Sequence, residues 1–154
     1  MVELVGCQLS NERKGEPMAQ LVLPLVLPRV LALVVCDGIE ESEQEMGVYR
    51  LSGVRTRLDV PVFPAFRPRL CVFVQMNGHR GQALCRIGIR QEATDEVIYQ
   101  TKAKTILFED PRLAVPVVFR LRNCVFPASG LYYVEILDET KLIGERRLLL
   151  QQED

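Results

Sequence analysis

Hydrophobic and polar residues alternate with a period of two along most of the chain that follows residue 30. Around the middle of the sequence, Cys85, Ile87 and Ile89 alternate with the charged residues Arg86 and Arg90. Successive side chains of a β-strand point to opposite faces, so this pattern predicts strands that bury one face and expose the other. No window has a sustained apolar period of 3.6 residues, and we therefore expect little helix.

Turn-forming residues divide the chain into a series of short extended segments. The predicted strands cover residues 30–36, 48–58, 69–76, 82–92, 97–101, 114–121, 131–137 and 142–150. Asn77-Gly78 is typical of a tight hairpin, which predicts pairing of the strands on either side of it. The spacing predicts an all-β fold, an immunoglobulin-like β-sandwich of about seven to eight mostly antiparallel strands.

Tyr132 is the residue that favours the immunoglobulin-like form of the sandwich. It follows Ser129-Gly130 at the start of a predicted strand. Immunoglobulin-like domains carry a tyrosine at such a corner, where its hydroxyl bonds to the backbone a few residues upstream. An ordinary core tyrosine fits the same position, and the sequence leaves both alternatives open.

Length and composition indicate one globular domain. The chain has 154 residues, of which 48% are hydrophobic and 25% charged, as in ordinary globular proteins. Residues 1–17 are polar and rich in breakers, so we expect a flexible N-terminal segment followed by a single β-sandwich domain over 18–154. Met18 is a second candidate for the translation start beside Met1.

Charge and cysteine content limit the partners and the compartment. The formal net charge is −1, whereas nucleic-acid binding relies on a strongly basic domain; we expect no nucleic-acid partner. The apolar run over 21–36 contains two prolines and Arg29, so no membrane anchor is expected. Five widely spaced cysteines without a C-x-x-C pattern predict free, buried thiols and a cytoplasmic location.

Catalytic motifs are missing from the sequence. His79 is the only histidine, and it lies in the predicted hairpin turn, where we expect a solvated side chain. No nucleophile elbow, phosphate loop, dinucleotide fingerprint or EF-hand pattern occurs. We therefore expect no enzyme activity and no cofactor. An enzyme would need two of Asp59, Glu92 and Glu135 to converge in a cleft.

Arginines provide one candidate for partner binding. Residues that share a side of their predicted strands form three pairs: Arg55 with Arg57, Arg86 with Arg90, and Arg120 with Arg122. If these strands belong to one sheet, its outer face carries a cationic stripe that could bind an acidic protein or a polyanion. Outward charges on any solvated sheet explain the same pattern.

An acidic segment over 37–45 provides a second candidate. Its carboxylates are Asp37, Glu40, Glu41, Glu43 and Glu45. Carboxylates grouped on a sandwich loop are potential calcium ligands, which makes a calcium- or lipid-dependent module resembling a C2 domain the alternative function. The segment lacks the alternating Asp and the glycines of calcium loops, and a solvated loop without a metal is the simpler interpretation.

Two strands are apolar on both faces. The segment 70–74 and the run Leu148-Leu149-Leu150 do not alternate. The second face of each must be covered by another layer, by residues 18–29 or by another chain. Self-association into a homo-oligomer is therefore an expectation as well.

Short segments of the chain resemble a family of small bacterial proteins that is catalogued as a domain of unknown function. They are Val35-Cys36-Asp37, Ser52-Gly53-Val54, Phe63-Pro64, Val125-Phe126-Pro127, Gly130-Leu131-Tyr132 and Gly144-Glu145. The resemblance covers residues 30–150 and implies a stand-alone, cytoplasmic β-sandwich without an assigned activity. Taken with the residues above, it favours a non-catalytic binding or scaffolding module that acts through protein–protein contacts.

Overall fold

Ten β-strands make up the fold in the computed structural model, which describes residues 26–154. They are β1 (Arg29–Glu41), β2 (Tyr49–Val54), β3 (Arg57–Val60), β4 (Ala65–Asn77), β5 (Gly81–Gln91), β6 (Val97–Gln100), β7 (Lys104–Phe108), β8 (Val115–Phe126), β9 (Gly130–Asp138) and β10 (Lys141–Gln152). Nowhere in 26–154 is there a helix with the length and apolarity to span a membrane. The predicted flexible segment 1–17 lies outside the described residues.

The strands form two sheets, as expected for a β-sandwich. The first sheet has the order β2-β1-β4-β8, and the second has the order β3-β10-β9-β5-β6, with β7 also paired to β5. The pairs are antiparallel except for β3 and β10, which run parallel. Pro116 lies on β8, at an edge of the first sheet, where its missing amide donor is tolerated.

The hairpin predicted at Asn77-Gly78 is wrong. Gly78 does adopt a left-handed φ of 85°, but β4 belongs to the first sheet and β5 to the second. The turn therefore carries the chain from one sheet to the other. Turn chemistry decides only where the chain reverses, whereas the choice of neighbouring strand depends on contacts with distant segments.

The interior between the sheets is the one that the alternation predicts. Cys85, Ile87, Ile89, Val117 and Phe119 belong to one buried cluster, and none of them is more than 8% exposed. Burial of such side chains contributes about 25 cal/mol for each Å² removed from water. This single core joins both sheets and confirms the predicted sandwich.

Gly53, the last residue but one of β2, lies within a segment that the pattern treats as one strand. Its φ is 64°, and a Cβ at this position would overlap the Asp37 carboxylate. The chain then leaves the first sheet, and β3 begins in the second sheet at Arg57. Consequently the predicted strand 48–58 is two strands in different sheets. The other additional strand, β7, was not predicted.

The far end of the β1–β2 hairpin packs against the outer face of the first sheet. Ile39 is buried in a second apolar cluster with Cys36, Cys71 and Phe73, and the ring centroids of Tyr49 and Phe73 are 5.5 Å apart. The second apolar face of β4 is thus covered by the β1–β2 hairpin of the same chain. This packing explains why apolar and polar residues do not alternate along β4.

Tyr132 has the hydrogen bonds of a tyrosine corner. It is fully buried, and its hydroxyl donates to the carbonyl oxygen of Ala128 at 2.6 Å. The hydroxyl oxygen of Tyr132 in turn accepts a hydrogen bond from the Ala128 amide at 3.2 Å. Its ring lies edge-on to Phe126, with 5.1 Å between the centroids. The Tyr132 hydroxyl thus bonds to the backbone four residues upstream, which is the contact that the corner alternative predicts.

Candidate functional site

The six arginines expected to form a stripe are divided between the two sheets. Arg120 and Arg122 lie on β8 of the first sheet, and Arg86 and Arg90 lie on β5 of the second. The other two, Arg55 and Arg57, flank the crossing from β2 to β3. No common sheet face can therefore carry all six, and the single stripe is not formed.

Arg55 is committed to an internal ion pair. Its Nη2 lies 2.7 Å from Asp37 Oδ2, and its Nε donates to Asp37 Oδ1 at 3.1 Å. Arg67 Nη2 contacts Oδ1 of the same carboxylate at 3.2 Å. The hydrogen bonds from Arg55, and then the charges of both arginines, lower the pKa of Asp37. Arg55 thus stabilises the bend after β2, and its guanidinium already has a carboxylate partner within the chain.

Of the two second-sheet arginines, Arg90 is engaged within the chain. Arg90 contacts Glu135 at 2.9 Å and Asp95 at 2.7 Å. Its guanidinium also lies over the Tyr133 ring, 4.7 Å from the centroid. Arg86 buries its Nε, which has no hydrogen-bond partner in the described part of the chain. These contacts indicate a structural role on the outer face of the second sheet.

Arg120 and Arg122 take part in a different constellation, which we call the arginine groove. It has a cavity volume of 340 Å³ and lies where the outer face of the first sheet meets the β1–β2 hairpin. Four arginines line it: Arg50, Arg69, Arg120 and Arg122. All four are exposed, and no ion pair between residues of 26–154 involves any of them.

Strand register brings these arginines together. Arg69 on β4 is the direct cross-strand partner of Arg122 on β8. Arg120 lies two residues before Arg122 and therefore shares its face. Arg50 reaches the groove from β2, where it pairs with Glu40 of β1. Opposed like charges destabilise a sheet, so the Arg69–Arg122 pair has an electrostatic cost that folding alone does not explain.

The positive charge of the groove extends to its surroundings. Arg120 Nη2 donates to the Ile39 carbonyl at 3.1 Å, which ties the groove to the hairpin. Lys104 lies nearby and donates to the carbonyl of Val118. Burial first and the charge of Arg120 second lower the pKa of Lys104. A field that disfavours another cation favours an incoming anion.

The acidic segment does not gather around a common point. Asp37 is held by two arginines, as described above, and Glu41 accepts a hydrogen bond from the Gly47 amide at 3.0 Å. Glu43 and Glu45 are exposed in the turn between β1 and β2. Across residues 26–154 there is no group of three or more His, Cys, Asp or Glu side chains that could hold a metal ion. Glu40 instead lines the arginine groove.

Each of the carboxylates considered for an enzyme contacts a different side chain of the chain. Asp59 lies on β3 and pairs with Arg57 at 3.3 Å. Glu135 is buried on β9 beside Arg90. Glu92 accepts a hydrogen bond from the Tyr133 hydroxyl at 2.9 Å. Each carboxylate thus has a local partner within the chain.

The solvated side chain expected for His79 is wrong. The residue is half-buried, and its ring lies edge-on to Phe108 with 5.3 Å between the centroids. Its two ring nitrogens face the carbonyl oxygens of Val26 and Gln82, at 3.1 and 3.0 Å. The histidine therefore links backbone segments at the turn between the sheets.

Two of the four groove arginines can be predicted from the sequence. Arg120 and Arg122 were predicted to share a strand face, which the structure confirms. Arg50 and Arg69 were not predicted as candidates, because their proximity depends on the order of the strands. Arg69 could have been predicted from its position, because it is a charged residue next to the apolar run Leu70-Cys71-Val72 of the same strand.

Residues 31–151 match the model of a family described as "Family of unknown function (DUF6941)". The match covers most of the chain and confirms the resemblance inferred from its short segments. No curated protein matches the chain.

Proposed function

This chain belongs to DUF6941, a family of unknown function, and from the geometry of its own residues we propose that it is a non-catalytic protein-binding module. Its binding surface is the arginine groove, and its ligand is an acidic segment of a partner protein. The observation that carries the proposal is the Arg69–Arg122 pair, in which two like charges face each other across β4 and β8.

An acidic ligand would remove the electrostatic cost of this pair. Like charges that lie directly opposite each other destabilise a strand pair. A carboxylate placed between two guanidinium groups replaces repulsion with charge-assisted hydrogen bonds, which contribute about 1.5–3 kcal/mol each. The planar guanidinium can also bind a carboxylate through two parallel hydrogen bonds, which gives directional recognition.

The surroundings of the groove favour a short acidic segment over a continuous polyanion. Glu40 lines the groove beside Arg50, and Glu41 and Glu43 line the adjoining cavity. These carboxylates repel a phosphate backbone that extends beyond the arginines. The net charge of −1 also differs from the basic balance of nucleic-acid-binding domains.

Arginine side chains support binding in preference to catalysis. A guanidinium stays protonated in proteins, so it cannot act as a general base near neutral pH. The described part of the chain has one histidine, and that residue contacts two backbone carbonyls. A scaffolding role, in which the sandwich presents a fixed charged surface, is consistent with these features.

The proposal also assigns the sandwich to the immunoglobulin-like class. Supporting features are the pairing of β4 with β8 in one sheet and the order β10-β9-β5 in the other. β3 pairs in parallel with β10 and forms an edge of the second sheet. Tyr132 at the start of β9, bonded to Ala128, corresponds to the tyrosine corner of that class.

A bacterial cytoplasm is the compartment we propose. Four cysteines of the described part are free and buried: Cys36, Cys71, Cys85 and Cys124. Disulfides persist mainly in oxidising compartments. A chain that keeps four thiols reduced is therefore suited to a reducing one.

Titration with a labelled oligoglutamate peptide tests the proposed function, with oligoglutamine and oligolysine peptides of equal length as controls. Fluorescence anisotropy should detect binding of the acidic peptide alone, and the affinity should fall as NaCl rises from about 50 to about 500 mM. Arg69→Ala and Arg122→Ala should each weaken binding by about 10- to 100-fold, the loss of one charge-assisted hydrogen bond.

Arg112→Ala is the matched control, because Arg112 is highly exposed and pairs with Asp110 outside the groove. Its affinity for the peptide should equal that of the wild type. Equal binding of all three peptides, or equal losses in the control and the groove variants, would contradict the proposal. A thermal shift on adding calcium would instead favour the calcium-dependent alternative.

A further inference from the structure

The β1–β2 turn presents an acidic surface directly beside the arginine groove. We call it the acidic turn and define it by Glu41, Glu43 and Glu45. These side chains are exposed, and no ion pair between residues of 26–154 includes any of them. Glu41 and Glu43 line the adjoining cavity of 740 Å³, and so do Arg50 and Arg120.

This arrangement is complementary to itself. A two-fold axis placed at the boundary between a positive and a negative region brings the positive region of one copy onto the negative region of the other, and the reverse. We propose that a second copy of this chain occupies the arginine groove, with the acidic turn of each copy inserted into the groove of its partner. The inference rests on the proposed function, since it names the acidic segment that the groove binds.

Charge and exposure support this occupant. The turn carries three carboxylates, and the groove carries four arginines that form no ion pair with another residue of 26–154. Met46, at the tip of the same turn, is 95% exposed, and Val48 beside it is 46% exposed. Exposed apolar side chains next to charges that complement a partner are typical of an interface core with a polar rim. The overall charge of −1 adds little long-range repulsion between copies.

Paired charge reversals test the inference by sedimentation velocity and light scattering on the full chain. Wild-type protein should form a dimer that is at least about tenfold weaker in 500 mM than in 50 mM NaCl, because its contacts are charged and screened. A turn variant, Glu43→Lys/Glu45→Lys, has two positive regions and should be monomeric. A groove variant, Arg69→Glu/Arg122→Glu, has two negative regions and should be monomeric too.

Mixing the two variants should restore a dimer that contains one copy of each, because both contacts then join opposite charges. All substituted residues are exposed, and circular dichroism checks that each variant folds. The neutral pairs Glu43→Gln/Glu45→Gln and Arg69→Gln/Arg122→Gln replace any variant that fails this check, and each should weaken the wild-type dimer by about tenfold or more.

The outcomes separate this inference from the proposed function. A wild-type protein that stays monomeric, or a dimer that survives both single reversals, overturns the reciprocal dimer. The turn variant keeps an intact groove and should bind oligoglutamate at least as well as the wild type. If the turn variant fails to bind this peptide, the proposed function fails, whatever the oligomeric state.

Discussion

At the scale of single residues, neighbouring side chains of the same type have different roles because they face different surroundings. Tyr132 is buried and holds the backbone at Ala128. Tyr133, the next residue, points outward, where its hydroxyl contacts Glu92. Asp37 likewise differs from the glutamates that follow it, because two arginines contact its carboxylate.

Removing the hydroxyl of either tyrosine should lower the free energy of unfolding by different amounts. Tyr132→Phe leaves the Ala128 amide and carbonyl without their partner and should lower the free energy of unfolding by about 1–3 kcal/mol. Tyr133→Phe breaks an exposed contact and should change it by less than about 0.5 kcal/mol. Urea unfolding followed by circular dichroism measures both. Equal losses would show that the corner does not stabilise the fold.

The ion pair of Asp37 should make stability depend on pH. Since the folded pKa is lowered, the pair contributes above the usual value of about 3.9, and this contribution is lost as pH falls through the folded pKa. Asp37→Asn should destabilise the protein by up to about 1 kcal/mol at pH 7, as expected for a partly exposed pair. The difference from wild type should shrink below about pH 4.

Unfolding of the two proteins at a series of pH values measures this difference. Arg55→Met provides the control, because it should destabilise the wild type but add little to Asp37→Asn. A difference that stays constant down to pH 2 would mean that the carboxylate charge plays no part.

At the scale of elements, the β1–β2 hairpin joins the core to the candidate site. Its far end seals the outer face of the first sheet through Ile39 and Tyr49. The same hairpin supplies Arg50 to the groove and presents the acidic turn. The packing of this hairpin therefore determines whether Arg50 lines the groove.

Weakening that packing should expose two specific thiols. Burial, and then the neighbouring Cys71, raise the pKa of Cys36 to about 11, so its thiol should react slowly at neutral pH. Ile39→Ala removes about 2 kcal/mol or more of packing. We expect labelling of Cys36 and Cys71 by a maleimide to become more than about tenfold faster.

Mass spectrometry of the labelled peptides measures this effect site by site. Cys85 and Cys124, in the core between the sheets, should stay protected, and Val97→Ala on β6 should change none of the rates. Faster labelling at all four thiols would indicate global destabilisation instead of local opening.

At the scale of the whole molecule, the two sheets enclose one interior while the outer faces carry the charges. Phe119 points inward and is 1% exposed, and Val118 beside it points to the outer face. The difference between these neighbours reflects the sandwich as a whole, since Phe119 belongs to the cluster between the sheets and Val118 packs against the cluster on the outer face.

Substitution on the two sides of β8 should reveal this asymmetry. Phe119→Ala should cost about 3–5 kcal/mol, a large part of the total for a domain of this size. Val118→Ala should cost about 1 kcal/mol or less because its site is partly exposed. Denaturant unfolding compares them, with Phe119→Leu as a milder variant if the alanine variant does not fold. Equal costs would contradict a single interior.

The alternation of side chains was sufficient to predict the fold class, because burial acts locally on each strand. Ile87 and Phe119 could be assigned to the interior from their neighbours alone, as could the outward direction of Arg120 and Arg122. The pattern failed where two strands follow each other without pairing, as at Asn77-Gly78. It also failed to separate β2 from β3, since the effect of Gly53 depends on contact with Asp37.

Alternation along each strand predicts its buried core residues, because the apolar face must leave water wherever the strand lies. Which outward charges meet depends instead on how the strands pair in three dimensions. Arg69 and Arg122 face each other because β4 pairs with β8, while Arg86 and Arg90 lie on the opposite sheet. The physical reason is that burial depends on the residue and its immediate neighbours, whereas the distance between two charges depends on the path of the chain between them.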